Sequence, residues 1–163
     1  MTRIIAGAAG SLRLATPSSG TRPTSDRVRE AVFSRLEARS DITGTVADLY
    51  AGSGALGLEA ASRGASQVLL VEKNSAAQRV INTNISTLSE ALPQATLVLV
   101  PGSVESFLTP PATHTLQGVF IDPPYEDEGV DAVLEALTPW LAEDAWVVVE
   151  RSTRSAAPNW PQG

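Results

Sequence analysis

The chain has no cysteine among its 163 residues. A disulfide framework, a zinc knuckle, a cysteine-ligated iron–sulfur site and a thiol nucleophile are therefore excluded. Its one histidine, His114, leaves too few ligands for a histidine-rich centre, and no metal is expected. No apolar run approaches the roughly 18 residues of a membrane span. The opening Met1-Thr2-Arg3-Ile4-Ile5-Ala6-Gly7 lacks the apolar core of a secretory leader. These absences predict a soluble cytoplasmic protein with no membrane partner. What is present is a hydrophobic fraction of 43%, enough at this length for one domain with its own core.

Positive charge is also scarce: the formal net charge is −6, which argues against a generic nucleic-acid binder. The deficit is uneven. Residues 1–40 hold seven arginines (Arg3, Arg13, Arg22, Arg27, Arg29, Arg35 and Arg39) against Asp26, Glu30 and Glu37. All the remaining acidic residues lie beyond them. A basic head on an acidic body points to a local contact with a polyanion.

The head reads as two short strands, Arg3–Ala6 and Leu12–Ala15, around a turn at Gly7-Ala8-Ala9-Gly10-Ser11. A Pro- and Ser-rich loop over 16–23 follows, then a helix that starts near Thr24–Asp26. Val28, Val32 and Leu36, at i, i+4 and i+8, predict its buried stripe. From Thr45 strand and helix alternate. Strands are expected at Val46–Tyr50, Gln67–Val71, Thr96–Val100, Gln117–Ile121 and Ala145–Glu150. Helices are expected at Leu56–Ser62, Ser75–Leu88, Val104–Leu108 and Gly129–Leu141. Runs such as Val68-Leu69-Leu70-Val71 and Leu97-Val98-Leu99-Val100 are apolar on both faces, as in parallel strands covered by helices on each side. The fold class is α/β: a doubly wound, mostly parallel sheet with a small N-terminal hairpin and helix. In such sheets the ligand sits at the carboxyl ends of the strands, near the switch in strand order.

The first core strand runs into Asp48-Leu49-Tyr50-Ala51-Gly52-Ser53-Gly54-Ala55-Leu56-Gly57. Gly52, Gly54 and Gly57 form G-x-G-x-x-G in the strand–loop–helix setting the motif requires. The second strand ends Val71-Glu72-Lys73-Asn74, where a carboxylate can accept hydrogen bonds from ribose hydroxyls. A dinucleotide and a nucleoside such as S-adenosylmethionine both satisfy these two features. The third strand leads to Ser103-Val104, placed either to cap the next helix or to lie beside an adenine ring.

The fourth strand separates these possibilities: it ends Ile121-Asp122-Pro123-Pro124-Tyr125. Two prolines stop the ladder and stiffen the backbone. The Asp122 carboxylate and the Pro123 carbonyl are acceptors, the latter without a partner in a proline-broken ladder. Tyr125 offers a flat face for a base. Together they form a receptor for a planar exocyclic NH₂.

With Gly52-Ser53-Gly54, this Asp-Pro-Pro-Tyr string resembles the amino-methyltransferases that use S-adenosylmethionine. More narrowly, Arg3–Gly7, Arg22-Pro23-Thr24-Ser25-Asp26-Arg27-Val28-Arg29-Glu30 and Asp48–Ala60 resemble the RsmD family, in register over essentially the whole chain. The resemblance implies a Rossmann-like class I methyltransferase that modifies a guanine N2 of 16S ribosomal RNA, acting as a monomer, with the RNA met within a small-subunit ribonucleoprotein particle. It implies that Asp48, Tyr50, Ala51, Gly52, Ser53 and Gly54 meet the amino-acid end of the cofactor. Glu72 and Lys73 would lie at its ribose and Ser103 and Val104 near its adenine. Asp122, Pro123, Pro124 and Tyr125 would receive the flipped guanine, Asp122 also bordering the cofactor. Arg22 and Thr24 would border cofactor and RNA, and Arg3, Arg13, Arg27 and Arg29 would contact phosphates. The layout is a single domain over 1–163: a basic head over 1–40 and a core over 41–163. Family members continue past a Pro-x-Trp segment, which Pro158-Asn159-Trp160 resembles, into a terminal strand pair that this sequence does not include.

Three other readings compete, one of them a second methyltransferase. An NAD-dependent oxidoreductase would share the glycine loop and Glu72, but no Tyr-x-x-x-Lys pair is visible. A DNA adenine-N6 methyltransferase would share Asp-Pro-Pro-Tyr, but the chain has no room for a separate target-recognition domain. A cofactor-binding RNA chaperone would need no catalysis at all.

Overall fold

Each central strand carries two interleaved apolar sets, and each set needs its own cover. The computed structural model describes residues 2–16, 25–123 and 129–150. In chain order these form β1 (Thr2–Arg3), β2 (Arg13–Leu14), α1 (Asp26–Arg39), β3 (Thr45–Leu49), α2 (Ala55–Arg63), β4 (Gln67–Glu72), α3 (Ser75–Ser89), β5 (Thr96–Pro101), α4 (Val104–Leu108), β6 (Leu116–Ile121), α5 (Val130–Leu137), a 3-10 turn (Thr138–Trp140) and β7 (Leu141–Val149). The strands β5-β4-β3-β6-β7 make one sheet, in that order, parallel throughout. β1 and β2 pair separately as an antiparallel hairpin.

Alternate residues go to opposite faces. Val46, Val68, Leu70 and Phe120 pack with α1, α2, α3 and the hairpin. Ala47, Leu49, Leu69, Val71, Val119 and Ile121 pack with α4 and α5. The order of strands reverses between β3 and β6, so the crevice at their carboxyl ends is the expected ligand position. Asp48 of β3 and Asp122, one residue past β6, stand at that crevice. Among the described residues no helix is long and apolar enough to cross a membrane.

Three expected elements differ in detail, each for a physical reason. The buried residues of α1 are Arg29, Phe33 and Leu36, while Val28 is exposed at 41%. The stripe is turned from the predicted Val28–Val32–Leu36 because the interior accepts a paired arginine, which a hydrophobicity count passes over. The hairpin strands are two residues each instead of four. Beyond β1 the N–H groups of Ile5 and Ala6 donate to the Glu59 carboxylate. Beyond β2 the Ala15 N–H donates to Asn84. Buried side chains thus take the bonds a longer ladder would have used. Finally, α5 stops at Leu137, and Pro139 lies in a 3-10 turn. A register shift between Leu116 and Gly118 then brings β7 in from Leu141, four residues ahead of the expected start.

Candidate active site

The loop after β3 starts under strain. Tyr50 has φ 61°, a left-handed conformation that costs a non-glycine residue about 1–2 kcal/mol, and such residues gather at ligand sites and switches. Tyr50 turns the chain so that the Ala51 N–H reaches the Val71 carbonyl (2.9 Å) and the Gly54 N–H closes back on the Ala51 carbonyl (2.8 Å). Gly52 is also left-handed, at φ +62°, and a Cβ built on it would meet nothing within 4 Å. Its backbone faces open space, as close approach to a ligand requires. Gly57 has another role. A Cβ there would stand 2.7 Å from Leu70 and 2.9 Å from Val68, so this glycine lets α2 lie against β4.

Two carboxylates hold this loop. Asp48 is buried and its Oδ2 accepts from the Gly57 N–H at 2.9 Å, satisfying one of the donors that a helix start leaves open. Glu72 accepts from the Gly52 N–H through Oε1 (2.8 Å) and from the Asn74 N–H through Oε2 (2.9 Å). A carboxylate has about four acceptor sites, so Glu72 retains capacity for hydroxyl donors while it fixes the loop. The Glu72 carbonyl also takes the Gly102 N–H (3.0 Å), which ties the ends of β4 and β5 together. Asp122 and Pro123 are half-buried at the end of β6. Asp122 lies close enough to act electrostatically on Asp48, as does Glu72. The structure thus gathers Asp48, Glu72 and Asp122 with the glycine loop at one mouth. An open glycine backbone beside a loop-bound carboxylate suits a nucleoside-sized cofactor.

The family described as Conserved hypothetical protein 95 matches residues 2–163. Ribosomal RNA small subunit methyltransferase D of Escherichia coli (strain K12) is 36% identical over 163 residues, covering 98% of this chain and 79% of that protein. The chain belongs to the RsmD family. The solved structure of yhhF from Escherichia coli superposes with a TM-score of 0.83 at 35% identity, over 98% of this chain and 86% of that one. Precorrin-6y C5,15-methyltransferase from Geobacter metallireducens GS-15, at 21% identity and a TM-score of 0.63 over 83% of this chain and 66% of its own, shares the fold. The chain is a Rossmann-like methyltransferase, and methyltransferase relatives imply an S-adenosylmethionine-type cofactor.

Within this family member, the residues expected at the site fall into distinct groups. Ser53 and Gly54 are buried, and Tyr50, Ala51 and Gly52 are half-buried at the mouth. Lys73 is exposed. Ser103 caps α4, its side chain accepting from the Ser106 N–H at 3.1 Å. Val104 is packed into the second core. Arg22, Thr24, Pro124 and Tyr125 lie outside the described residues. Arg3, Arg13 and Arg27 are exposed, as a phosphate contact needs. Arg29 is not: its side chain is 0% exposed and pairs with Asp26 and Glu59. Its expected RNA contact is replaced by a structural one, because an RNA phosphate cannot reach a guanidinium enclosed by its own partners.

Two residues in this arrangement escape sequence reasoning. Glu59 is fully buried on α2. It accepts from Ile5 (2.8 Å), Ala6 (3.1 Å), Arg29 (3.2 Å) and Arg63 (2.8 Å). Asn84 is fully buried on α3. The available signal was a charged or amide residue at an inward helical position, which reads as an ordinary surface residue until the neighbours are known.

Burial pushes the Asp48 carboxyl well above the usual carboxylate range. The Gly57 N–H opposes the shift, while the charges of Asp122 and Glu72 add to it. Between the ordinary value and the raised one, the folded chain keeps a proton that the unfolded chain has released, so stability falls as pH rises through that window. Asp48→Asn keeps an acceptor for the Gly57 N–H and removes the titration. Melting curves taken from about pH 4 upward are expected to show a flatter pH dependence in the variant. Equal slopes in the two proteins would exclude this assignment.

Proposed function

We propose that the chain transfers a methyl group from S-adenosylmethionine to a guanine N2 of small-subunit 16S ribosomal RNA. The observation that carries this reading is the placement of Asp122 and Pro123 at the end of β6, beside the strand-order switch and across from the glycine loop held by Asp48 and Glu72. The RNA substrate named for the Escherichia coli relative supports it. When bound, S-adenosylmethionine supplies an electrophilic methyl group on a sulfonium.

The chain's own residues supply position and charge. The guanine amine is a weak nucleophile because its lone pair is delocalised into the ring. Hydrogen bonds from its N–H groups to the Asp122 carboxylate and the Pro123 carbonyl orient the nitrogen and stabilise the positive charge that grows on it. Glu72 accepts from the ribose and keeps the Gly52 amide in place. The base leaves its stack to reach this mouth, costing a few kcal/mol, least where the RNA is single-stranded. Exposed Arg3, Arg13 and Arg27 hold the backbone in register without reading sequence. An acidic body behind a basic head restricts binding to an RNA surface shaped to meet that head, as in an assembled small-subunit particle.

The purified chain is expected to bind S-adenosylhomocysteine and not NAD in equilibrium titration, which separates this reading from an oxidoreductase. Small-subunit RNA from cells lacking the protein should lack one guanine N2 methyl group, restored by the intact gene. An unchanged guanine pattern overturns the substrate assignment.

A further inference from the structure

Asparagine is a poor helix former, yet Asn84 sits in the interior of the 15-residue helix α3, on the inward stripe with Ala77, Ile81 and Leu88. A side chain there is ordinarily apolar. Asn84 is 0% exposed and uses its amide three times. Oδ1 accepts from the Ala15 N–H at 2.7 Å. Nδ2 donates to the Ala15 carbonyl at 3.0 Å and to the Ser53 carbonyl at 2.8 Å. One amide therefore bridges the glycine loop and the end of the hairpin, segments 38 residues apart in sequence. Glu59 and Ser62 also dock the hairpin, through Ile5, Ala6 and Ala9, but on the body of α2 and not on the loop itself.

We propose that Asn84 is a positioning residue that locks the glycine loop and the Arg3- and Arg13-bearing hairpin into one relation, so that filling the cofactor site stiffens the RNA-facing hairpin. The physical basis is stoichiometric. Each Asn84 hydrogen is committed to one carbonyl, so a shift of the Ser53 carbonyl must either break the bond or carry the amide with it. Breaking it leaves buried polar groups unsatisfied. A ligand that holds the loop then also holds Ala15, and by linkage a partner that holds the hairpin tightens the loop for its ligand.

The proposal rests on reading the Asp48–Gly54 loop as the cofactor loop, and the test keeps the two apart. Hydrogen exchange at the Ala15 amide is followed in the full chain with S-adenosylhomocysteine and no RNA. Exchange is expected to slow by about tenfold, within the usual range of coupling between sites. The Asn84→Ala variant is expected to bind S-adenosylhomocysteine about tenfold more weakly and to raise the KM for RNA, with kcat within a few-fold, because the reacting groups are untouched. S-adenosylhomocysteine that binds the wild-type chain and leaves the Ala15 amide unchanged overturns the coupling while sparing the cofactor reading. No binding to the wild-type chain overturns both. Should Asn84→Ala fail to fold, the wild-type exchange measurement decides.

Discussion

Replacing Asp122 by alanine is expected to lower kcat on the order of 10²–10³-fold, the usual effect of removing one preorganised group that faces developing charge. The proposed reaction places positive charge on the amine nitrogen only as the methyl group arrives, so the carboxylate is stronger in the transition state than in the ground state. Asp122→Asn retains one acceptor oxygen and loses the charge; its kcat should fall between the alanine variant and the wild type. Single-turnover methylation of small-subunit particles is the measurement, with circular dichroism to show that the fold is kept. The fold has no reason to be lost. Asp122 is half-buried at a strand end, and its charge is one of those that push Asp48 upward. Near-normal turnover in Asp122→Ala would remove Asp122 from the chemistry.

Glu59→Ala is expected to cause the largest loss of stability. Glu59 and Arg29 are each 0% exposed and 3.2 Å apart. Removing one partner of a buried pair costs about 3–5 kcal/mol because the other charge stays enclosed. The Ile5 and Ala6 N–H groups lose their acceptor in the same step. At about 2–4 °C per kcal/mol for a chain of this size, Tm should drop on the order of 6–20 °C. Whether the loss comes from the enclosed Arg29 charge, left with Asp26 as its partner, is tested by a second change. Glu59→Leu with Arg29→Met replaces the pair by apolar side chains, and such replacements are often neutral or stabilising. The double variant should melt above Glu59→Ala. A single variant that melts with the wild type would show that the hairpin is anchored by its other contacts, the Ser62 and Asn84 hydrogen bonds and the packing of Ile4 and Leu14 among them.

Arg29 shows where reading the chain residue by residue stops. In sequence it is one of seven arginines in a basic head, on the family's own Arg-Pro-Thr-x-Asp-Arg-Val-Arg-Glu segment, and a phosphate contact follows naturally. In the fold it faces inward, while Arg27, two positions away, stays in solvent. At 100° per residue, two positions are enough to separate inside from outside. No rule of composition states which of the two is enclosed. The same rotation exposes Val28 and buries Phe33.

The β3 loop and the β6 end were legible because their signals are local. A glycine spacing that permits a tight turn, a carboxylate directly after an apolar run and two prolines that end a ladder all act within a few residues of themselves. Strand positions were legible for a related reason, since a strand apolar on both faces can only lie between two layers. Glu59 and Asn84 carried no such mark. Apart from Arg63, four residues on, their partners lie 30–69 residues away, and an isolated helix gives a buried glutamate or asparagine nothing to recommend it.

The scarcity of positive charge, with no cysteine and a single histidine, did determine something by itself. It left an oxygen-and-backbone site as the chemistry available, and it concentrated seven of the twelve basic residues in the first 40. Only the tertiary structure decided which of those cations face outward and how the head is joined to the glycine loop. That division follows from the physics. Local sterics and apolar periodicity are written along the chain, whereas a buried charge or amide is stable only when distant segments converge to satisfy it.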